Sequence, residues 1–291
     1  MNTGTSASHL TRICRPPLVL ATLFVLLAAS AASVATAAPP PGEIRLAHLT
    51  SPEVAALVKA GTNSIIIPVG GTEQSGPYVV LGKHNIRVRA LTGMIARKLG
   101  HVLVAPVIAY VPEGAIRHPT AHMRFTGTIS VPASAFRAIL TGAARSFARH
   151  GFRNIIILGD HGGYQSDIRT VVAALNRRWA QRPDHPRALY VLQYYGTTQT
   201  TFVKTLRDHG LSLAEIGTHA GVNDTSLLMA VAPSAVRTAH LADAPPPGAA
   251  EGVYGDPRRS SAALGQLGVD EIVSATVDAL KKAIATPRPA H

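Results

Sequence analysis

Cysteine is nearly absent: one, Cys14, in 291 residues. A single thiol excludes an intramolecular disulfide and every zinc site built on cysteine pairs. Aromatic residues are sparse at 5%, with one Trp, and acidic residues are outnumbered, 16 against 28 Lys+Arg, for a formal charge of +12. That excess alone would point to nucleic acid. The basic residues are instead scattered, in pairs such as Arg87/Arg89, Arg177/Arg178 and Arg258/Arg259, without aromatic interleaving or a recognition motif. No specific nucleic-acid partner is expected. After residue 29 no apolar run is long enough to span a bilayer. What is abundant is apolar residues, at 46% enough to build a core and to exclude wholesale disorder.

The first 37 residues read as an export signal. Arg12 and Arg15 precede an apolar run from Pro17 to about Ala29, and Ala35-Thr36-Ala37 fits a small-residue cleavage site. Cys14 lies ahead of the run, where a lipoprotein cysteine would not be. A periplasmic or secreted mature chain of residues 38–291 is expected, forming a single domain with 26 basic and 16 acidic residues and no cysteine. Its stability would then rest on packing alone.

Continuous apolar runs alternate with longer amphipathic segments. Ser64–Val69, Val102–Ala105 and Asn154–Leu158 are short and rich in β-branched residues, as buried parallel strands are. A fourth strand is expected over Ala188–Gln193. Helices are expected over 52–59, 85–99, 133–150, 165–179 and 270–283. The alternation predicts an α/β fold, with helices on both sides of a mostly parallel central sheet.

In such sheets ligands bind beyond the carboxyl ends of the strands. Gly70-Gly-Thr-Glu73-Gln-Ser75-Gly-Pro77 follows the first run, and Asp160-His161-Gly162-Gly163 follows the third. Both are glycine-rich turns with side chains suited to metal binding or proton transfer. Glu73, His84, His161 and Asp224 together offer carboxylate oxygens and imidazole nitrogens, the donors a hydrolytic divalent ion uses.

Five ordered segments add a family resemblance. Pro68-Val-Gly-Gly-Thr-Glu73-Gln-Ser-Gly-Pro77 resembles the first signature of the creatininase family. Phe125-Thr-Gly-Thr-Ile-Ser130, with His122 upstream, resembles its central motif. Asp160-His-Gly-Gly163, His219-Ala-Gly-Val-Asn-Asp-Thr-Ser226 and Gly252-Val-Tyr-Gly-Asp-Pro257 resemble three later ones. The resemblance implies a three-layer α/β/α sandwich, homo-oligomers, and a two-metal site that hydrolyses amide C–N bonds. It places Glu73 and His161 at metal-ligand positions.

Several positions depart from the family's pattern. Ser75 stands where the family has a ligand His, His84 where it has the Asp that bridges two ions, and Gly163 where creatininase has a ligand Glu. Asp224 shortens the usual Glu, Thr218 replaces an acidic neighbour of His219, and Tyr78 replaces a frequent His. A neutral imidazole offers one nitrogen to one cation, so one ion is expected rather than two. The expected ligands are Glu73, His84 and His161; the ion is zinc foremost, then manganese or iron. Asp224 or Asp160 would complete the set, or Asp160 would orient His161. His219 and Asp224 are the expected catalytic groups. Ser75, Tyr78, His122, Asp160, Gly162 and Gly163 are the expected pocket, for a cyclic amide, formamide or short peptide. The alternative is an inactive member of the fold that binds a small molecule or serves a structural role.

Overall fold

The computed structural model describes residues 39–241 and 245–287; the expected export segment lies outside them. Its central feature is a four-stranded parallel sheet in the order β2-β1-β3-β4. The strands are β1 (Ser64–Val69), β2 (Val102–Val104), β3 (Asn154–Gly159) and β4 (Arg187–Leu189). β1 and β3 pair along their full length, from Ser64 opposite Asn154 to Val69 opposite Gly159, and every residue of both is buried. Side chains alternate across a strand, so a continuous apolar run implies cover on both faces.

That cover is present. Ile65, Ile67, Ile155 and Ile157 meet Phe136 and Leu140 of α3 (Ala133–Arg149) and Ile168, Leu175 and Trp179 of α4 (Gln165–Trp179). The residues between them, Ile66, Ile156 and Leu158, face the other layer. That layer includes α2 (Lys83–Leu99), α5 (Gln193–Gln199), α6 (Thr201–Asp208), α8 (Val222–Val231) and α9 (Ala262–Ala285). Two short helices, α1 (Ser51–Lys59) and α7 (Leu213–Ile216), complete the set. This is the expected α/β/α sandwich. No helix among the described residues is long and apolar enough to cross a membrane.

The last strand is shorter than expected and ends at Leu189, with Gln193 already opening α5. Asn176 accounts for how its outer edge is closed. Its amide donates to the Ala188 carbonyl at 2.9 Å and accepts the Ala188 N–H at 2.8 Å, taking the place of a further strand.

α9 begins eight residues before the expected Asp270. Gly265 and Gly268, which lower the helical signal, are contact points: a Cβ on Gly265 would run into the Ser226 carbonyl of α8. Gly265→Val is therefore expected to destabilise by about 3 kcal/mol or more through overpacking against backbone. Gly142→Ala, on an exposed face of α3 with nothing within 4 Å of the added carbon, should be neutral or stabilise by up to about 1 kcal/mol. Urea unfolding of the two variants checks the contrast.

Candidate metal centre

The carboxyl ends of β1 and β3 are tied by one phenol. Tyr164 accepts the N–H groups of Asp160 (3.1 Å) and His161 (3.0 Å) and donates to the Gly70 carbonyl at 2.6 Å. This fixes both glycine-rich turns against each other. Beyond β1, the Glu73 N–H donates to Leu81 and the Gln74 N–H to Thr128, so Glu73 is turned inward with no exposure.

The two oxygens of Glu73 face different neighbourhoods. Oε1 lies 2.7 Å from His84 Nε2, 3.4 Å from Lys83 Nζ and 3.6 Å from His219 Nδ1. Oε2 faces His122 Nε2 at 3.1 Å and His161 Nε2 at 3.4 Å and has no hydrogen-bond partner. Burial works to raise this carboxyl, but His84 and Lys83 hold it well below the usual carboxylate range.

Glu113 arrives from the long connection between β2 and α3. Its side chain is buried beside Gly71, where a Cβ would come within 2.6 Å of Glu113 Oε1; the glycine makes room for the carboxylate. Neither Glu113 oxygen has a hydrogen-bond partner, nor does His161 Nδ1, 3.4 Å from Glu113 Oε2. Burial, with Glu73 close by, pushes the Glu113 carboxyl up to about 9. Burial also lowers His161 to about 4, against the pull of Glu73.

Glu73, Glu113, His122 and His161 thus offer four ligand atoms within 4.8 Å of one another. Buried polar atoms are almost always satisfied. Four orphaned atoms lie on three of these residues, Glu73, Glu113 and His161, and all are of the type that ligates a divalent ion. The donor set fits a metal.

Gln74 distinguishes the two remaining histidines. Its Oε1 accepts the Gly76 N–H and its Nε2 donates to the Gly252 carbonyl, both at 3.0 Å, so the amide is oriented. The same Nε2 lies 3.1 Å from His122 Nδ1, which must then accept. The His122 proton therefore sits on Nε2, turned toward Glu73. His219 Nε2 lies 2.9 Å from the Gln74 carbonyl, which can only accept, so its Nδ1 carries the free lone pair. Burial and Lys83 lower His219 to about 3, keeping it a neutral proton acceptor near pH 7.

Other expected site residues take different places. His84 spans Glu73 and Asp160, with each ring nitrogen 2.7 Å from a carboxylate oxygen, so neither is directed at an ion. Asp160 serves His84, Arg87 and Tyr194, not His161. Asp224, in the first turn of α8, has each oxygen on a cation: Lys83 at 2.9 Å and Arg87 at 2.9 Å. Those cations outweigh burial and hold it well below the usual range, as an anion and not a proton acceptor. A cavity of ≈190 Å³ opens onto His84, His122, His161, His219 and Asp224, with Tyr195 and Tyr254 also in its wall; Asp160 and Gly162 line it too. Ser75, Tyr78 and Gly163 do not. Ser75 and Val79 bridge a turn that packs, with Tyr78, on Leu228 and Val236.

Sequence reasoning missed Glu113, Lys83 and Arg87. Glu113 is the acid beyond the second strand, where the same strand-end rule applied. In the sequence Arg87 is only one of a basic pair with Arg89, yet it is 2% exposed. α2 starts at Lys83, two residues before the expected Asn85, and Lys83 and Arg87 share a helix face by their spacing of four.

The creatininase sequence profile, described as creatinine amidohydrolase, matches residues 47–280. The chain belongs to the creatininase family. It is 28% identical over 242 residues to the mycofactocin precursor peptide peptidase of Mycolicibacterium smegmatis, covering 75% of this chain and 84% of that one. To the creatinine amidohydrolase of Pseudomonas putida it is 27% identical over 204 residues, covering 68% and 76%. A solved manganese creatininase superposes with a TM-score of 0.70 at 24% identity, over 84% of this chain and 100% of that one. The creatininase family is one of metal-dependent amidohydrolases, and this chain brings four side chains with metal-ligating atoms together.

Proposed function

We propose that this protein is an exported, metal-dependent hydrolase of a small amide, with one divalent ion held by Glu73, Glu113 and His161. The carrying observation is the set of orphaned ligand atoms on those three residues. Three protein ligands with open positions are what a hydrolytic ion requires. Zinc suits the mixed oxygen and nitrogen donors, with manganese as the alternative. Bound there, the ion supplies Lewis acidity for a carbonyl and for water.

The chain's own residues do the rest. His219 Nδ1, bare and neutral, takes up a proton at the cavity wall. His122, its Nδ1 occupied by Gln74, stands with Nε2 3.1 Å from Glu73 Oε2 without a hydrogen bond to it, beside the ligands and outside their set. Asp224, neutralised by Lys83 and Arg87, forms a fixed polar wall. A cavity of ≈190 Å³ suits a cyclic amide, a formamide or the end of a short peptide, and the names of the relatives, amidohydrolase and peptide peptidase, support that range.

The test is metal content and hydrolysis of an amide panel, before and after chelation. His161→Ala should lose the ion. His122→Ala should weaken binding by about 10–100-fold, as loss of a group that supports a ligand does. Equal losses would move His122 into the ligand set. A protein that takes up no ion after reconstitution would overturn the assignment.

A further inference from the structure

The Lys83 side chain has no solvent exposure and does not line the cavity. Its ammonium lies between two carboxylates, 2.9 Å from Asp224 Oδ2 and 3.4 Å from Glu73 Oε1. A lysine in the first turn of a helix opposes the helix dipole, and burying an ammonium is costly without partners. Helix stability therefore does not account for this position; the carboxylates do.

Those carboxylates would otherwise attract an ion. Glu73 Oε1 and Asp224 Oδ2 converge on the same space, with His219 Nδ1 3.6 Å from that Glu73 oxygen. Glu73 thus divides the centre. On its Oε2 side the ligand atoms are orphaned; on its Oε1 side a cation is already attached to the chain. We propose that the Lys83 ammonium is a built-in cation that closes the Oε1 side of Glu73 to metal and confines the centre to a single divalent ion. This rests on the metal reading above.

The ammonium is a point charge on a flexible stem, fixed here by its two partners. A divalent ion entering beside it would meet like charge in a low-dielectric interior, where repulsion is far stronger than in water. Removing the ammonium would leave Glu73 Oε1, which keeps His84, and Asp224 Oδ2, whose carboxylate keeps Arg87, without the cation they share. His219 Nδ1 stands 3.6 Å from that Glu73 oxygen. Lys83 is thus a positioning residue: it selects how many ions bind and which oxygen of Glu73 meets the ion.

Native mass spectrometry and metal analysis in excess Mn²⁺ or Zn²⁺ read the count directly. The wild type should hold one ion per chain. Lys83→Met, which keeps the length without the charge, should hold two, and so should Lys83→Gln, the second variant in case the first does not fold. Lys98→Met, at an exposed site on the same helix, should stay at one. Two ions in the wild type, or one in a folded Lys83 variant, would overturn the proposal. No ion in the wild type would overturn the metal reading beneath it.

Discussion

Glu73→Gln is expected to remove both the ion and its chemistry while leaving the chain foldable but weakened. An amide oxygen is a far poorer ligand than a carboxylate, so metal-dependent turnover should fall by about 10³-fold or more, the loss of several kcal/mol of stabilisation. The stability effect arises separately. Glu73 is wholly buried with His84 at 2.7 Å and Lys83 at 3.4 Å from one oxygen. Removing one member of a buried charge network typically costs about 3–5 kcal/mol because the others stay buried. Lys83 keeps Asp224 and His84 keeps Asp160, which places the expected cost near the low end, about 3 kcal/mol. Denaturant unfolding of both chelated proteins isolates that cost from the loss of metal stabilisation. Retained metal-dependent turnover in the variant would remove Glu73 from the centre.

The parts of this arrangement that were readable in the sequence are those where one signal had one meaning. Ser64–Val69 and Asn154–Leu158 are continuous apolar runs, and only strands covered on both faces need them. The turns beyond them carry Glu73, Asp160 and His161, which the fold brings into one network with His84, His219 and Asp224. The parts that were hidden involve residues whose ordinary meaning is different. Gly265 and Gly268 look like helix breakers, yet they let α9 approach α8. Lys83 and Arg87 look like solvated charge at the start of a helix. They are buried because Asp160, Glu73 and Asp224, distant in the chain, compensate them. Nothing local marks that compensation. Tyr194 has the same character: its hydroxyl donates to Asp160 Oδ1 at 2.9 Å, from a helix with little apolar periodicity. His84 was readable as a ligand by type, but a histidine's role depends on what faces each nitrogen, and only the fold supplies two carboxylates.

Glu113 makes the strongest pH-dependent prediction, because it is held protonated when no ion is bound. Its folded pKa, about 9, lies above the ordinary value of 4.5 that it has in the unfolded chain. Between these values the unfolded chain has released the proton and the folded one retains it, so folding takes up a proton and stability falls as pH rises. The metal-free protein should therefore lose up to about 1.4 kcal/mol per pH unit from this group. The window from pH 7 to 9 is the cleanest. There His122, His161 and His219, all with lowered pKa values, are largely neutral in both states and contribute little slope. Glu113→Gln keeps the shape and removes the proton equilibrium, so its chelated form should show a flatter profile and exceed the wild type in stability at pH 8.5. Saturating metal should narrow that gap. The wild type would gain stability by mass action, about 2.7 kcal/mol at a hundredfold excess over Kd, while the variant, lacking a ligand, would gain little. Urea unfolding at pH 7, 8 and 9, with chelator and with Zn²⁺ or Mn²⁺, reads all four conditions. Equal slopes for the two chelated proteins would mean that Glu113 is ionised without metal. An equal gain on adding metal would show that the ion is held elsewhere.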